Sequence, residues 1–549
     1  MILSRAVSVL ALAAVSQAQN PYPVTGAAAP GGGPAVPLRK NINDLQREGG
    51  PTWDLYIQAL AAMYSTADSD WLSYFQIAGI HGEPYIQWNH TGSQAGDGWL
   101  GYCPHGEAIF ATWHRPYVML FEQVLVNNAL RIASTYPSRY RASYMDAAQN
   151  LRAPFWDWGA DSTVPQSTVP TSLPINVVSG NTIRQVQFDN PLQTYNFPKA
   201  ALNGKYGDFE PGASRTVRCP SPKSYPSSAN ANLADRPYKQ WVYDTMTQAT
   251  TFINFASTSG DGINLESIHN AIHWDGACAQ QFLAPETSAF DPLFWLHHSN
   301  VDRLWAYWEA LQPDQTVFTN TYSGQSRWGV KGGTTISNQS PLLPFYGADG
   351  QLYTSTSVTS LSTFGYTYEG MEYWAKSADQ MKSDVSTIIN KLYATKSSGL
   401  FSRDAATSSR PQQKQRHFVK LSVNVADLTV RPVDIAVYVG GKKACSMVVM
   451  RLPATGMVKG GCSIDDALEE LQSSNTTMSA LNAAQNLRDF MTVDIQKIDG
   501  SRIPVSSVPS LQFQAETVDV ILPTAINKLP EFGQRIQHTV FKVLEQTGE

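Results

Sequence analysis

Apolar residues recur at helical spacing in several stretches of the chain. Ile42-Asn43-Asp44-Leu45 and the run from Trp53 to Leu60 read as helix starts followed by helical apolar positions. The same pattern covers 110–132, 264–273 and 291–311, the last opened by Asp291 as cap and Pro292 as first helical residue. Between these, 163–235 is rich in Pro, Ser, Asn and Thr with little periodicity, which predicts long loops on a helical core. A Pro/Gly/Ala-rich stretch at 20–37 predicts an extended strap over the surface. At 396–415, Ser, Arg, Gln and Lys replace large apolar residues, as in an exposed linker. Beyond it, 417–425, 434–439 and 514–522 alternate at period two, the pattern of half-buried strands. The chain is therefore expected to be mainly α: a helical bundle with long loops over 19–395, a linker at 396–415, and a small, mostly β C-terminal domain over 416–549.

With 549 residues and 42% hydrophobic composition, the chain can bury more than one core. A net charge of −5 with no Lys/Arg run offers no footprint for phosphates, so no nucleic-acid partner is expected. Residues 1–18 join Arg5 to an apolar stretch and the small-residue end Ser16-Gln17-Ala18, in the manner of a signal peptide. A secreted chain beginning near Gln19 is expected. No other segment holds the roughly 18 uninterrupted apolar residues of a membrane span. The five cysteines, Cys103, Cys219, Cys278, Cys445 and Cys462, are odd in number and leave one over after pairing. Sequons at Asn89, Asn338 and Asn475 would accept glycans on the secretory route.

Eight of the ten histidines, at 81, 90, 105, 114, 269, 273, 297 and 298, fall in the helical part. His269 and His273 stand four apart, which on a helix sets both imidazoles on one face a turn apart. Such a pair also suits zinc, yet neither a neighbouring carboxylate ligand nor an HExxH arrangement accompanies it. His297 and His298 are adjacent on a helix and so point about 100° apart, which lets only one of them face a metal shared with that pair. Upstream, His81, His105 in Cys103-Pro104-His105 and His114 in Trp113-His114-Arg115-Pro116 supply a second set of three. Imidazole triads suit copper, and two copper ions held close together can deliver two electrons to dioxygen in concert.

With Pro154-Phe155-Trp156-Asp157-Trp158 and the segment from Asp291 to Trp305 added to these histidines, the chain resembles the fungal tyrosinases and polyphenol oxidases of the type-3 copper family over about 39–368. The resemblance implies a dicopper catalytic domain, with one copper on His81, His105 and His114 and the other on His269, His273 and His298, and His297 standing beside them. It implies a thioether between Cys103 and His105, which would account for the odd cysteine. The other four cysteines allow three pairings, among them Cys219–Cys278 with Cys445–Cys462. Glu266 and Asn270 occupy the positions where members that hydroxylate monophenols hold a water, which implies a proton-accepting device for a phenol with an ordinary pKa of about 10. Trp274, Leu283 and Pro285 fall where relatives narrow the entrance, and Tyr366-Thr367-Tyr368 matches a tyrosine motif that packs near an N-terminal arginine, here Arg39.

The implied activity is oxidation of small phenols by dioxygen: o-hydroxylation of monophenols and conversion of o-diphenols to o-quinones. A β tail behind a cleavable linker resembles the fungal proenzyme arrangement and implies latency relieved by an activating protease. A catechol oxidase or an o-aminophenol oxidase would use the same ligands, as would a haemocyanin-like oxygen carrier. Such carriers are very long repeated chains, whereas this one has a single copper unit and a removable cap. A hydrolytic zinc enzyme is a further alternative that metal analysis separates.

Overall fold

The computed structural model describes residues 20–94, 96, 98–396, 412–474, 491–538 and 544–545. The expected signal peptide, residues 397–411 of the expected linker and the sequon at Asn475 lie outside the described residues. The main helices are α1 (Gly50–Ser65), α2 (Phe110–Ser134), α3 (Leu265–Asp275), α4 (Leu293–Leu311) and α5 (Ala378–Tyr393). All but α5 run where helical spacing predicts them. Asn264 caps α3 in a reciprocal capping box with Ser267, and the Asp291 side chain accepts the N–H of Leu293 at the start of α4. The apolar spacing of α5 is opened by a second such box, between Ser377 and Gln380.

A buried ionic network fixes α2 against α4. Arg115 of α2 pairs with Asp302 at 2.6 Å and Glu309 at 3.0 Å, and its guanidinium lies 3.5 Å from the ring centre of Trp305. Arg39 joins Glu122 to Asp302 and donates to the Tyr368 hydroxyl at 2.8 Å, while Tyr366 donates to Asp302 at 2.6 Å. The tyrosine motif thus closes on Arg39, as the resemblance implies.

Two expectations need correction. The stretch 163–235 is not loop throughout: β1 (Ser172–Ser179) and β2 (Thr182–Asp189) form an antiparallel hairpin that turns at Gly180, whose φ is +60°. Leu173 and Ile175 alternate inwards on it, a signal too short to stand out among polar neighbours. Asn89 is fully buried, with its amide bonded to the carbonyls of Tyr22 and Pro344 and its oxygen to Tyr22 N–H, so its sequon is a structural asparagine in the folded chain. The 20–37 strap is accordingly pinned rather than loose: Val24 is buried and its N–H bonds the Tyr346 carbonyl.

The C-terminal part is a sandwich of two sheets. Strands β3 (Gln413–Asn424), β4 (Val433–Val439), β5 (Lys442–Val449), β6 (Met457–Ser463), β7 (Met491–Lys497), β8 (Gln512–Ile521), β9 (Glu531–His538) and β10 (Leu544–Glu545) assemble in the orders β6-β3-β8-β9 and β10-β7-β4-β5. The Cys445–Cys462 disulfide ties β5 of one sheet to β6 of the other, and Cys219–Cys278 ties the 163–235 stretch to the loop after α3, so the unpaired cysteine is Cys103. Most buried apolar residues of this sandwich share one contiguous core with the helical part, and Phe418, Val518, Val520 and Leu522 form a separate small cluster. Among the described residues, no helix is long and apolar enough to cross a membrane.

Candidate dinuclear metal centre

Histidines from α2, α3, α4 and two loops meet in the middle of the helical part, and all are buried. The His269 and His273 side chains of α3 bring their Nε2 atoms to 2.9 Å, and His298 of α4 brings its Nε2 to 3.2 Å from that of His269. Opposite them, the ring centre of His81 lies 5.4 Å from that of His105 and 5.7 Å from that of His114, with His105 and His114 5.6 Å apart. The two sets face each other: His114 stacks on His298 at 4.5 Å. Phe110 and Phe294, each four residues before a histidine of its own helix, pack across onto the opposite set, against His269 at 4.8 Å and His81 at 5.1 Å.

The far nitrogen of most rings is tethered. His81 Nδ1 bonds the Pro285 carbonyl at 2.7 Å, His114 Nδ1 the Phe110 carbonyl at 2.8 Å, His273 Nδ1 the Phe282 carbonyl at 2.5 Å, and His269 Nδ1 the Asn270 side-chain oxygen at 2.9 Å. An acceptor at Nδ1 fixes the proton there and leaves Nε2 as a bare lone pair. His269 and His273 then point two lone pairs at each other across 2.9 Å, while His81 and His114 present buried Nε2 atoms with no hydrogen-bond partner among the described residues. A cation is what satisfies such a set. Burial, reinforced at most of these rings by neighbouring imidazoles, keeps them neutral: the His81 pKa falls to about 4 and that of His273 to about 3, and those of His105, His114, His269 and His298 fall well below the usual range. Neutral imidazole is the ligand form.

His297 sits differently. The Trp158 indole N–H donates to its Nδ1 at 3.0 Å, and its ring stacks on His269 at 4.9 Å. His269, His273, His297 and His298 form one cluster with metal-ligand spacing, and His81, Cys103 and His105 another. The free Cys103 is buried, with Sγ 3.6 Å from His105 Nδ1, and burial pushes its thiol well above the usual range.

Glu266, in the first turn of α3, is nearly inaccessible. Its Oε1 accepts the Gly106 N–H at 2.6 Å; its Oε2 accepts Ser257 Oγ at 3.1 Å, Thr258 N–H at 2.8 Å and Thr258 Oγ1 at 3.0 Å. Burial outweighs these donors and raises the carboxyl to about 7. Asn270 bonds His269 with its oxygen and directs its amide to the Val448 carbonyl at 3.5 Å. Of the proposed entrance residues, Trp274 is half-buried, while Leu283 and Pro285 are buried; what their loop gives the histidines is backbone, the carbonyls of Phe282 and Pro285. Sequence reasoning missed these carbonyls, which carry no residue signature, and it missed Ser257 and Thr258.

The segment from Val448 to Pro453 of the β part lies against three walls of this centre. Val448 meets Asn270, Arg451 pairs with Glu286 at 3.0 Å next to Pro285, and Pro453 packs so tightly on Gly106 that a Cβ there would come within 2.4 Å of its ring. Arg431 holds the segment in shape by donating to the Pro453 carbonyl at 2.6 Å.

Residues 72–311 match the family model for the common central domain of tyrosinase. Among curated proteins, the chain is 33% identical over 389 residues to a tyrosinase of Podospora anserina, spanning 66% of this chain and 67% of that one. It is 30% identical over 380 residues to polyphenol oxidase 2 of Agaricus bisporus, spanning 66% of each. Among solved structures, a recombinant mushroom tyrosinase superposes with a TM-score of 0.79 at 22% identity, over 95% of this chain and 100% of that one. The apo-protyrosinase melB of Aspergillus oryzae superposes with a TM-score of 0.74 at 19% identity, over 96% and 98%. With buried imidazole clusters that fit a copper site, the chain belongs to the tyrosinase family of copper-dependent phenol oxidases.

Proposed function

We propose that the protein hydroxylates monophenols and oxidises o-diphenols to o-quinones, and that it is made latent. In this reading His81, His105 and His114 hold one copper and His269, His273 and His298 the other, with His297 kept aside by Trp158. The copper pair, when bound, supplies two-electron exchange with dioxygen. The observation that carries the reading is the convergence of bare Nε2 atoms whose Nδ1 partners are already assigned. Cys103, free and against His105, supports a thioether that would orient that ring. Trp274, Leu283 and Pro285 are assigned to the wall through which substrate is held.

The remaining chemistry is proton handling. A phenol with an ordinary pKa of about 10 must lose its proton to bind a metal near neutral pH. Glu266, raised to about 7, is matched to accept it through a water placed with Asn270. The test is a Glu266→Gln variant, copper-loaded and freed of its tail, supplied with a monophenol, an o-diphenol and an o-aminophenol. Monophenol turnover should fall about 100-fold with diphenol oxidation nearly unchanged. A variant that hydroxylates monophenols at the normal rate removes Glu266 from the mechanism.

Latency follows from the Val448–Pro453 contacts, which would shut phenols out of the centre while the β part is docked. A protease acting within 396–415 is the proposed activator. Two disulfides support a secreted protein, since such bonds persist in oxidising compartments.

A further inference from the structure

We propose that Ser257 and Thr258 are positioning residues for the monophenol reaction: by occupying one oxygen of Glu266 completely, they hold the other toward the metal centre. This inference rests on the reading of Glu266 as the proton acceptor.

The two carboxylate oxygens have unequal surroundings. Oε2 receives the Ser257 hydroxyl and both the N–H and the hydroxyl of Thr258, which fills its acceptor capacity. Among the described residues Oε1 receives only the Gly106 N–H, which leaves it a lone pair. Gly106 directly follows His105 and has a φ of +69°, so Oε1 is the oxygen on the side of the first histidine set. A water delivering a phenol proton can be accepted at Oε1 and not at Oε2.

The donors are themselves held in place. Ser257 and Thr258 are both buried at the end of a short helix, Phe252–Ala256, and Ser257 Oγ also accepts from Ser259. The following turn is tight: a Cβ on Gly260 would meet the Ile253 carbonyl at 2.3 Å. While the β part is docked, the Lys459 N–H also reaches the Thr258 carbonyl at 2.7 Å and the Asn264 amide bonds the Lys459 carbonyl at 3.2 Å, so β6 touches the same loop in the latent form. A charge-assisted hydrogen bond is both shorter and stronger than a neutral one, and losing one of the hydroxyl donors loosens the carboxylate about its side-chain torsions.

The test compares wild type with Ser257→Ala, Thr258→Val and Thr258→Ser, each as the full chain. In the metal-free protein, hydrogen exchange of the Gly106 amide reports whether Oε1 is still in place. Thr258→Val and Ser257→Ala should speed that exchange about tenfold while amides of α2 keep their wild-type rates, and Thr258→Ser should restore protection. After copper loading and identical proteolytic activation, the ratio of monophenol to diphenol turnover should fall about tenfold in Thr258→Val and recover in Thr258→Ser. A purely structural role would lower both activities together. Unchanged Gly106 exchange and an unchanged ratio in Thr258→Val, with Glu266→Gln still defective, overturn the positioning role alone. A Glu266→Gln enzyme with a normal ratio overturns the reading beneath it.

Discussion

At Glu266 a carboxylate is buried next to a metal centre yet surrounded by donors, and the balance sets its working range. Because burial raises its pKa to about 7, it is protonated below that value and cannot accept a proton. Monophenol hydroxylation should therefore rise as pH increases through about 7, and the diphenol reaction, measured on the same samples, should lack that step. The adjacent histidines make a second residue-level claim. His298 has Nε2 within 3.2 Å of His269 Nε2, whereas His297 is bonded by Trp158. His298→Ala should bind one copper fewer per chain than His297→Ala by metal analysis; fewer in His297→Ala would reverse the assignment, and equal stoichiometries would remove it. Peptide mass mapping of copper-loaded, aerated protein should find Cys103 joined to His105, lighter by a pair of hydrogens and resistant to alkylation. The histidines and this cysteine were legible because side-chain type and spacing carry them. The carbonyls of Phe282 and Pro285 were not, because a backbone acceptor looks the same on every residue.

Elements set these residues in register. The i, i+4 spacing on α3 was readable as sequence periodicity, and it and the Phe-to-His spacing on α2 and α4 each produce the contact they imply. What joins α2 to α4 was not readable, since Arg115, Asp302 and Glu309 are far apart in sequence and look like ordinary helix-surface charges. Arg115 and Asp302 are buried and Glu309 is half-buried beside them, so removing Arg115 strands both carboxylates. Arg115→Ala should cost about 3–5 kcal/mol in urea denaturation of the full chain. A loss below about 1 kcal/mol would mean that the network behaves like a surface ion pair. The β1–β2 hairpin escaped prediction for a different reason: only Leu173 and Ile175 alternate into the core with full burial, too few to stand above a polar background.

Across the whole molecule, the β part is not hung on the linker but built into the fold. Arg236 pairs with Asp275 at 2.6 Å on its own side and Asp434 at 3.1 Å on the other, and it also bonds Ser446. Arg416 of β3 pairs with Asp244 at 2.5 Å across the interface and with Asp465 at 2.8 Å. Asn390 of α5 donates to the carbonyls of Ile526 and Lys528, both at 2.7 Å. With these charges buried and the apolar core shared, a cut within 396–415 should leave both pieces eluting together in size-exclusion chromatography until the β part is displaced or digested, so activity should follow release of the β part rather than the cut itself; prompt separation would show the interface to be weak. Composition and period-two patterning revealed that a β domain exists, whereas its seat over the histidines depends on long-range contacts that no local pattern encodes. The central claim is that two buried imidazole triads oxidise phenols once this cover is gone. Its most direct test is dioxygen uptake with an o-diphenol by the copper-loaded chain, before and after the β part is removed. Little uptake before and rapid uptake after is the predicted result; equal uptake in both states, or none after removal with two coppers bound, would contradict it.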